Sequence, residues 1–371
     1  MDANPPKKKR KICTDETAAA LSLPDAVLLH ILERLPTDDV LRFRHVCRAW
    51  RATVGRDPAF ARAHLQRWRA EMPVVSPCSP GSGPFLKIYR YRESGECGGP
   101  VSRVQLRSPR SFDRTIVHCD GVLVVCSAAE LLAWNPATGE SDAAARALKA
   151  VRYYYRVHDV QAGAYSIGVE VLALGQGPPS WRPAARDPPC PIYGTPPASV
   201  GSTVYWVIDD RFLDGPDSQA QPGASTLLSF DVTSGEYSVV DGPPCRWRCQ
   251  DVALGNVGGA LCVVVTWKSL LGTVWLRTAA GTWTQVLGLD TEYILARVVP
   301  VGMCASTGEM LLLAGRSMHH CCIAGTGSGK ARVVVDVRGQ LKNCGRNSAR
   351  NRVIAKTLVF MYTPSLIKIA G

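Results

Sequence analysis

Between residues 21 and 70 the apolar positions recur at helical spacing, whereas from Phe85 onward they gather into short runs broken by Gly, Asp-Gly and Pro. Pro24 suits the first turn of a helix and Asp25 its positive dipole end, with Ser22 or Leu23 as the cap. At about 100° per residue, Val27, Leu28, Ile31, Leu32 and Leu35 fill an arc of roughly 140°, and Leu29 widens it to roughly 200°. A helix packed by one face against a small core needs only about half that width. Pro36 stops this helix. Thr37 can cap the next, Asp38 and Asp39 favour its N-terminus, and Val40, Leu41, Phe43, Val46, Cys47 and Trp50 continue at helical spacing. Asp57-Pro58 marks a third start, leading to Phe60, Leu65 and Trp68. The pattern therefore predicts three short helices. Cores below ~70 residues rarely supply more than a few kcal/mol, so surplus apolar surface on so small a unit reads as half of an interface.

Pro73, Pro77, Pro80 and Pro84, with interspersed Ser and Gly, read as a linker over 73–84, because proline and glycine deny both helix and ladder. Residues 85–371 carry strand-length runs. Asn135–Gly139 and Asp231–Gly235 are turns between an apolar and a polar strand, with Pro136 suited to the first central position. Gly139 and Gly235 lie 96 residues apart, and Gly281 follows 46 later. A unit near 46–48 residues fits propeller blades, whose repeats run about 40–50 residues, and divides 85–371 into about six. An irregular β-sandwich with chance turn spacing is the alternative. The expected architecture is α+β multidomain: a basic, disordered leader (1–20), a small all-α module (21–70), the linker, and an all-β, propeller-like domain (85–371). Its long loops at 177–199 and 211–224 are candidates for substrate contact.

Charge changes the picture at one place. The formal net charge is +12, and Lys7, Lys8, Lys9, Arg10 and Lys11 supply five of it. The remainder is mostly isolated arginines, which does not predict a nucleic-acid binder. Pro6 with Lys7–Lys11 is similar to the compact basic signals read by nuclear import receptors, since an extended segment lets consecutive cations reach acidic pockets. A solvated basic tail is the plainer reading. No apolar run approaches the ~18–20 residues that cross a bilayer, and the N-terminus lacks the apolar core of a secretory signal. These features predict a soluble intracellular protein, in the nucleus or in both nucleus and cytoplasm, whose 14 scattered cysteines are mostly buried hydrophobes.

Other motifs carry little chemistry. The glycine-rich run at 324–330 ends in Lys330, but Ala331 replaces the magnesium-binding hydroxyl of a phosphate loop, and a strand pattern follows. His319-His320-Cys321-Cys322 are adjacent and have no second pair at finger-like spacing; Cys245 and Cys249 have no His partner in range. Gly-x-Ser-x-Gly is absent. No catalytic residue, cofactor or metal is predicted.

Leu23-Pro24-Asp25, Ile31-Leu32, Leu35-Pro36, Val46-Cys47, Trp50-Arg51 and Asp57-Pro58-Ala59-Phe60 together resemble the F-box, over roughly 45 residues in order. The resemblance implies binding to a Skp-type adaptor, and through it to cullin and RING subunits. Leu23 and Pro24 would lie against the adaptor, Ile31, Leu32, Leu35, Pro36 and Leu41 would add apolar contact, and Val46, Cys47 and Trp50 would pack the helices or reach the partner. Cys119-Asp120-Gly121-Val122-Leu123, Trp134-Asn135-Pro136-Ala137-Thr138-Gly139-Glu140, Val204-Tyr205-Trp206, Ser229-Phe230-Asp231 and Gly258-Gly259-Ala260-Leu261-Cys262 resemble the F-box-associated domain of plant F-box proteins, a kelch-like β domain. The resemblance implies a non-catalytic receptor subunit of a Skp–cullin–F-box ubiquitin ligase, recruiting a protein substrate through the β domain. The rivals are a non-proteolytic nuclear F-box scaffold and a propeller hydrolase with an appended helical module.

Overall fold

The computed structural model describes residues 24–67, 72–78, 85–90, 100–105, 115–119, 121–126, 131–142, 148–174, 181–212, 225–267, 271–289, 297–304, 308–314, 317–322, 331–336 and 356–362. The chain divides into two compact units between residues 68 and 69. The basic stretch 6–11 and Leu23 lie outside the described residues. Among those described, no helix is long and apolar enough to cross a membrane.

The first unit holds four helices: α1 (Asp25–Leu32), α2 (Thr37–Phe43), α3 (Arg48–Arg56) and α4 (Pro58–Arg67). Relative to its helix, Pro24 sits one position earlier than the pattern suggests and Pro36 one later, in place of Thr37. Pro24 and Pro36 are themselves the N-caps, their carbonyls accepting from Val27 N and Leu28 N, and from Asp39 N and Val40 N. Three helices were expected where four exist, because the middle one breaks at Cys47. That residue is extended (φ −152°), and its Sγ accepts the Trp50 amide at 3.4 Å, capping a new helix. Asp57 caps the last helix through Oδ1, which accepts from Ala59 N at 2.8 Å. Leu32, Val40, Val54, Phe60 and Leu65 are buried, and Phe43 meets Trp50 edge-on at 5.4 Å. His64 is fully buried on α4, where its Nε2 donates to Leu35 O at 2.8 Å.

The second unit is built of antiparallel sheets. The first holds β1 (Met72–Cys78), β2 (Phe85–Arg90) and β3 (Pro100–Gln105); the second, β4 (Thr115–Cys119), β5 (Val122–Cys126), β6 (Leu131–Trp134) and β7 (Ser141–Asp142). The third has three strands, β8 (Leu148–Asp159), β9 (Ala164–Leu174) and β10 (Trp181–Pro183). The fourth comprises β11 (Ala198–Val200), β12 (Thr203–Val207), β13 (Thr226–Asp231) and β14 (Tyr237–Asp241). The fifth is β15 (Val252–Val257), β16 (Ala260–Thr266), β17 (Gly272–Arg277) and β18 (Trp283–Leu289). The sixth is β19 (Val298–Met303), β20 (Met310–Ala314), β21 (Ser317–Cys321) and β22 (Ala331–Asp336). The last strand, β23 (Lys356–Tyr362), returns to the first sheet and pairs antiparallel with β1 from Met72↔Tyr362 to Cys78↔Lys356. First strands of neighbouring sheets lie against one another: β11 with β15, β15 with β19, β19 with β23, and β23 with β4. Six successive small sheets, joined first to last, are the architecture of a six-bladed propeller.

The stretch 73–84 was expected to be a linker, yet β1 occupies the whole of its first half. Proline cannot donate to a ladder, and here Pro73 and Pro77 fall outside Val74–Val75, the two residues through which β1 pairs with β2.

Blades bury both faces of their central strands. On β16, Leu261, Val263 and Val265 face a core shared with Val207 and Leu227 of the fourth sheet. Cys262 and Val264 face another, shared with Val298, Met310 and Leu312 of the sixth. The period of two along a strand therefore makes a two-sided strand an unbroken apolar run. The recurrent glycine turns fall at equivalent positions. Gly139, Gly235 and Gly281, at φ 74°, 76° and 84°, each lie between the third and fourth strands of a sheet. Asp231 Oδ1 accepts from Thr233 N and Ser234 N at 2.7 and 2.8 Å, and Asn135 Oδ1 accepts from Ala137 N at 3.0 Å. Cys304–Gly308 closes the same way, Gly308 N donating to Cys304 O at 2.8 Å, but between first and second strands.

Candidate functional site

Each unit presents a surface of its own. On the helical unit, Val27, Leu29 and Ile31 of α1 are 43%, 37% and 41% exposed, and Val46, in the turn before α3, is 62% exposed. Pro24, Pro36 and Cys47 are also exposed, and Leu35, Leu41 and Trp50 are half-buried. Leu32, expected at the adaptor surface, is instead 2% exposed. The 100° step explains the difference. Ile31 and Leu32 are neighbours in sequence but point about 100° apart, and Leu32 faces the core. Val27 and Leu29 were not singled out as contacts; the width of the apolar arc was the signal that they remain outside.

On the β unit, the segments that precede β11, follow β12 and precede β19 meet beside β8 and make up its loop-bearing end. There lies a cleft of about 500 Å³, lined by Tyr153, Tyr155, His158, Ile192, Tyr193, Gly194, Asp209, Arg211 and Arg297. Ile192–Gly194 belong to the loop 177–199, and Arg211 opens the loop 211–224, so two loops read from the sequence as contact candidates meet here.

The cleft is stiffly built. Tyr155 Oη donates to Ile192 O at 2.7 Å and accepts from Ile192 N at 2.8 Å. Burial pushes its pKa up to about 12, so the phenol stays protonated. Burial, then the Asp209 charge, raises that of Tyr153 as well. Arg211 Nε and Nη2 donate to the two carboxylate oxygens of Asp209 at 2.8 and 2.7 Å, and Asp209 Oδ1 also accepts the Arg211 amide. The Asp209 side chain is 1% exposed and that of Arg211 42%. A buried carboxylate requires such a partner, since an unpaired one costs several kcal/mol. The guanidinium also lies over the Tyr193 ring at 5.1 Å. Beside it Phe212 stacks on Tyr155 at 6.4 Å and meets His158 and Tyr165 edge-on at 5.1 and 5.4 Å. Across the cleft, Arg297 anchors one amino group on Val252 O at 3.0 Å.

Asp209, Asp210 and Cys249 come within metal-ligand distance of one another. Asp209 is already committed to Arg211. Burial, then Asp210, pushes the Cys249 pKa up to about 12, so the sulfur is held as a thiol, and Asp210 accepts the Cys249 amide at 3.2 Å. The trio is a structural brace. Along β21, Met318, His319 and Cys321 are buried. The glycine-rich run 324–330 lies outside the described residues, and β22 follows it.

Residues 20–60 match the F-box domain family. Among curated proteins of Arabidopsis thaliana, "Putative F-box protein At3g21120" is 30% identical over 132 residues, 33% of this chain and 36% of the relative. "Putative F-box protein At3g23260" is 26% identical over 310 residues, covering 72% and 79%. "F-box/kelch-repeat protein At3g23880" is 22% identical over 347 residues, covering 83% and 90%. Among solved structures, "Structure of YjhT" aligns with a TM-score of 0.40 at 10% identity, over 71% of this chain and 97% of that one.

Proposed function

We propose that this chain, an F-box protein with a C-terminal β domain akin to those of Arabidopsis F-box and F-box/kelch-repeat proteins, is the substrate-recognition subunit of a Skp–cullin–F-box ubiquitin ligase. The F-box match supports that role at the level of the family. The observation that carries it here is the apolar surface left open on the helical unit: Val27 and Ile31, about 40° apart on α1, are exposed on one side of the buried Leu32, Leu29 on the other, and Val46 in the turn before α3, all by more than a third. Large apolar side chains left in solvent on so small a unit mark a protein interface. The Skp-type adaptor covers it, and the adaptor brings the cullin and RING subunits. The β unit holds the target at its loop-bearing end and contributes no bond-making step of its own; its stiff aromatic cleft suits binding. Residues 6–11 engage an import receptor and direct the protein to the nucleus.

Affinity capture of the tagged chain under proteasome inhibition tests the reading. Adaptor and cullin should co-purify, together with ubiquitinated proteins whose half-lives lengthen when the chain is lost. Capture without adaptor would refute the assignment. Capture with adaptor but with protein half-lives unchanged across the proteome would favour the non-proteolytic scaffold.

A further inference from the structure

We propose that the cleft at the loop-bearing end of the β unit receives an anionic side chain of a peptide segment, a carboxylate or a phosphate, between Arg211 and Arg297. The inference rests on the recruiting role assigned to the β unit and names what that unit reads.

Charge placement argues for an anion. Two guanidinium groups from different sheets border one cleft, Arg211 after β12 and Arg297 before β19. The carboxylate in the lining, Asp209, is buried at 1% side-chain exposure and pairs with Arg211, so two arginines against one aspartate leave the lining at a net +1, which Arg297 supplies. Asp210 is turned toward the Cys249 amide. Arg211 spends Nε and Nη2 on Asp209, so Nη1 takes no part in that pair. Arg297 spends one amino group on Val252 O. Each keeps N–H donors for a shared planar or tetrahedral anion, in the fork geometry that carboxylates and phosphates accept.

Preorganisation argues for a binding site over a chance gap. A bidentate contact on a buried carboxylate fixes the Arg211 fork, and stacking over Tyr193 holds it from the side. Little side-chain entropy is then lost on binding, which is where affinity is usually forfeited. Size argues for a peptide. About 500 Å³ is far more than one carboxylate or phosphate fills, and it lies in the usual range of ligand pockets. Tyr153 and Tyr155 offer flat apolar walls for the neighbouring residues of a peptide carrying the anion. The Tyr155 hydroxyl is already satisfied by Ile192 and one face of its ring is stacked on Phe212, so the ring offers carbon rather than oxygen to the cleft.

The test uses the full chain, immobilised with its adaptor, and pools of degenerate nonapeptides that differ only at a fixed central residue: Glu, phosphoserine, Gln or Lys. A charge-assisted contact predicts capture of the Glu or phosphoserine pool at least about tenfold above the Gln pool. Which of the two leads identifies the anion. Arg297→Gln should abolish that preference, as should Arg211→Lys, which keeps a cation beside Asp209 but loses the fork; melting temperature should be unchanged for Arg297→Gln. Equal capture of Glu, phosphoserine and Gln pools overturns the proposal, as does capture of none, or a preference that survives both substitutions. Retention of the adaptor in the same preparation separates this outcome from a failure of the ligase-subunit reading, which would show as loss of adaptor with peptide capture intact.

Discussion

Ile31 and Leu32 are adjacent on α1, yet one is 41% exposed and the other 2%. Substituting each alone separates interface from core. Ile31→Lys places a charge on a surface position, where folding stability usually changes by no more than about 0.5 kcal/mol. An anchor residue at a protein interface costs at least about 2 kcal/mol when lost, roughly thirtyfold in affinity. Leu32→Ala removes three buried carbons, for which the range is about 2–5 kcal/mol. A helical unit this small has only a few kcal/mol in total, so Leu32→Ala should melt α1–α4 while the β unit stays folded. Measuring adaptor affinity by interferometry and unfolding by tryptophan fluorescence on the same full-length preparations gives both quantities. Ile31→Lys should shift affinity alone; Leu32→Ala should shift the melt and lose affinity as a consequence. If Ile31→Lys binds adaptor as the parent does, the exposed face is not the interface. If Leu32→Ala leaves the melt untouched while weakening binding, Leu32 is a contact after all.

Arg211→Ala should cost about 3 kcal/mol by stranding the buried Asp209 carboxylate, and Asp209→Asn should recover most of it; denaturant midpoints of the two single variants and the double report the coupling. Gly235→Val should destabilise the β unit by more than about 1 kcal/mol, because φ of 76° suits glycine alone, while the same change at Gly288, which has open space around it, should cost less. Burial is the main cause lowering the His64 pKa below its usual 6.5, the Leu35 carbonyl opposing it. The folded state thus keeps the ring neutral, and the unfolded chain takes up the proton first. His64 therefore adds stability above about pH 6.5 that falls away as pH drops through the folded pKa; a melt of the helical unit that improves below pH 6 would contradict this. Deleting residues 6–11 should move a tagged protein toward the cytoplasm, and an unchanged nuclear signal would count against the import reading.

Repetition made the β unit legible. The glycine turns at 139, 235 and 281 stand out because each ends an apolar strand and reverses on a glycine at positive φ, two of them with an Asn or Asp at the start, and their spacing is that of blades. Two-sided burial made β16 an apolar run visible without alignment. What escaped detection depended on partners distant in sequence. β1 reads as a proline-spaced linker until β23 supplies its other neighbour. The Cys304–Gly308 turn lacks the Asx side chain that marks the turns at Asn135 and Asp231. The break at Cys47 came from a thiol acting as a cap, a role that sulfur seldom fills. Leu32 was misplaced because a wide arc says that surplus surface exists, not which residue is inside. The cleft needed three blades and two loops to assemble, and only the loops were visible beforehand.

Pairing of β23 with β1 ties together residues 278 to 290 positions apart, from Cys78↔Lys356 to Met72↔Tyr362. During synthesis at about 5–20 residues per second, β1 waits roughly a quarter of a minute to a minute for its mate. Throughout that interval it offers an unpaired strand edge, the kind of surface on which chains aggregate. The helical unit, by contrast, is a compact unit of its own that ends at residue 68, and on the role proposed above it would meet an adaptor while the rest is still emerging. On that role, a message cut short before codon 356 would yield a product able to occupy adaptor yet unable to close its ring, a competitor in place of a receptor.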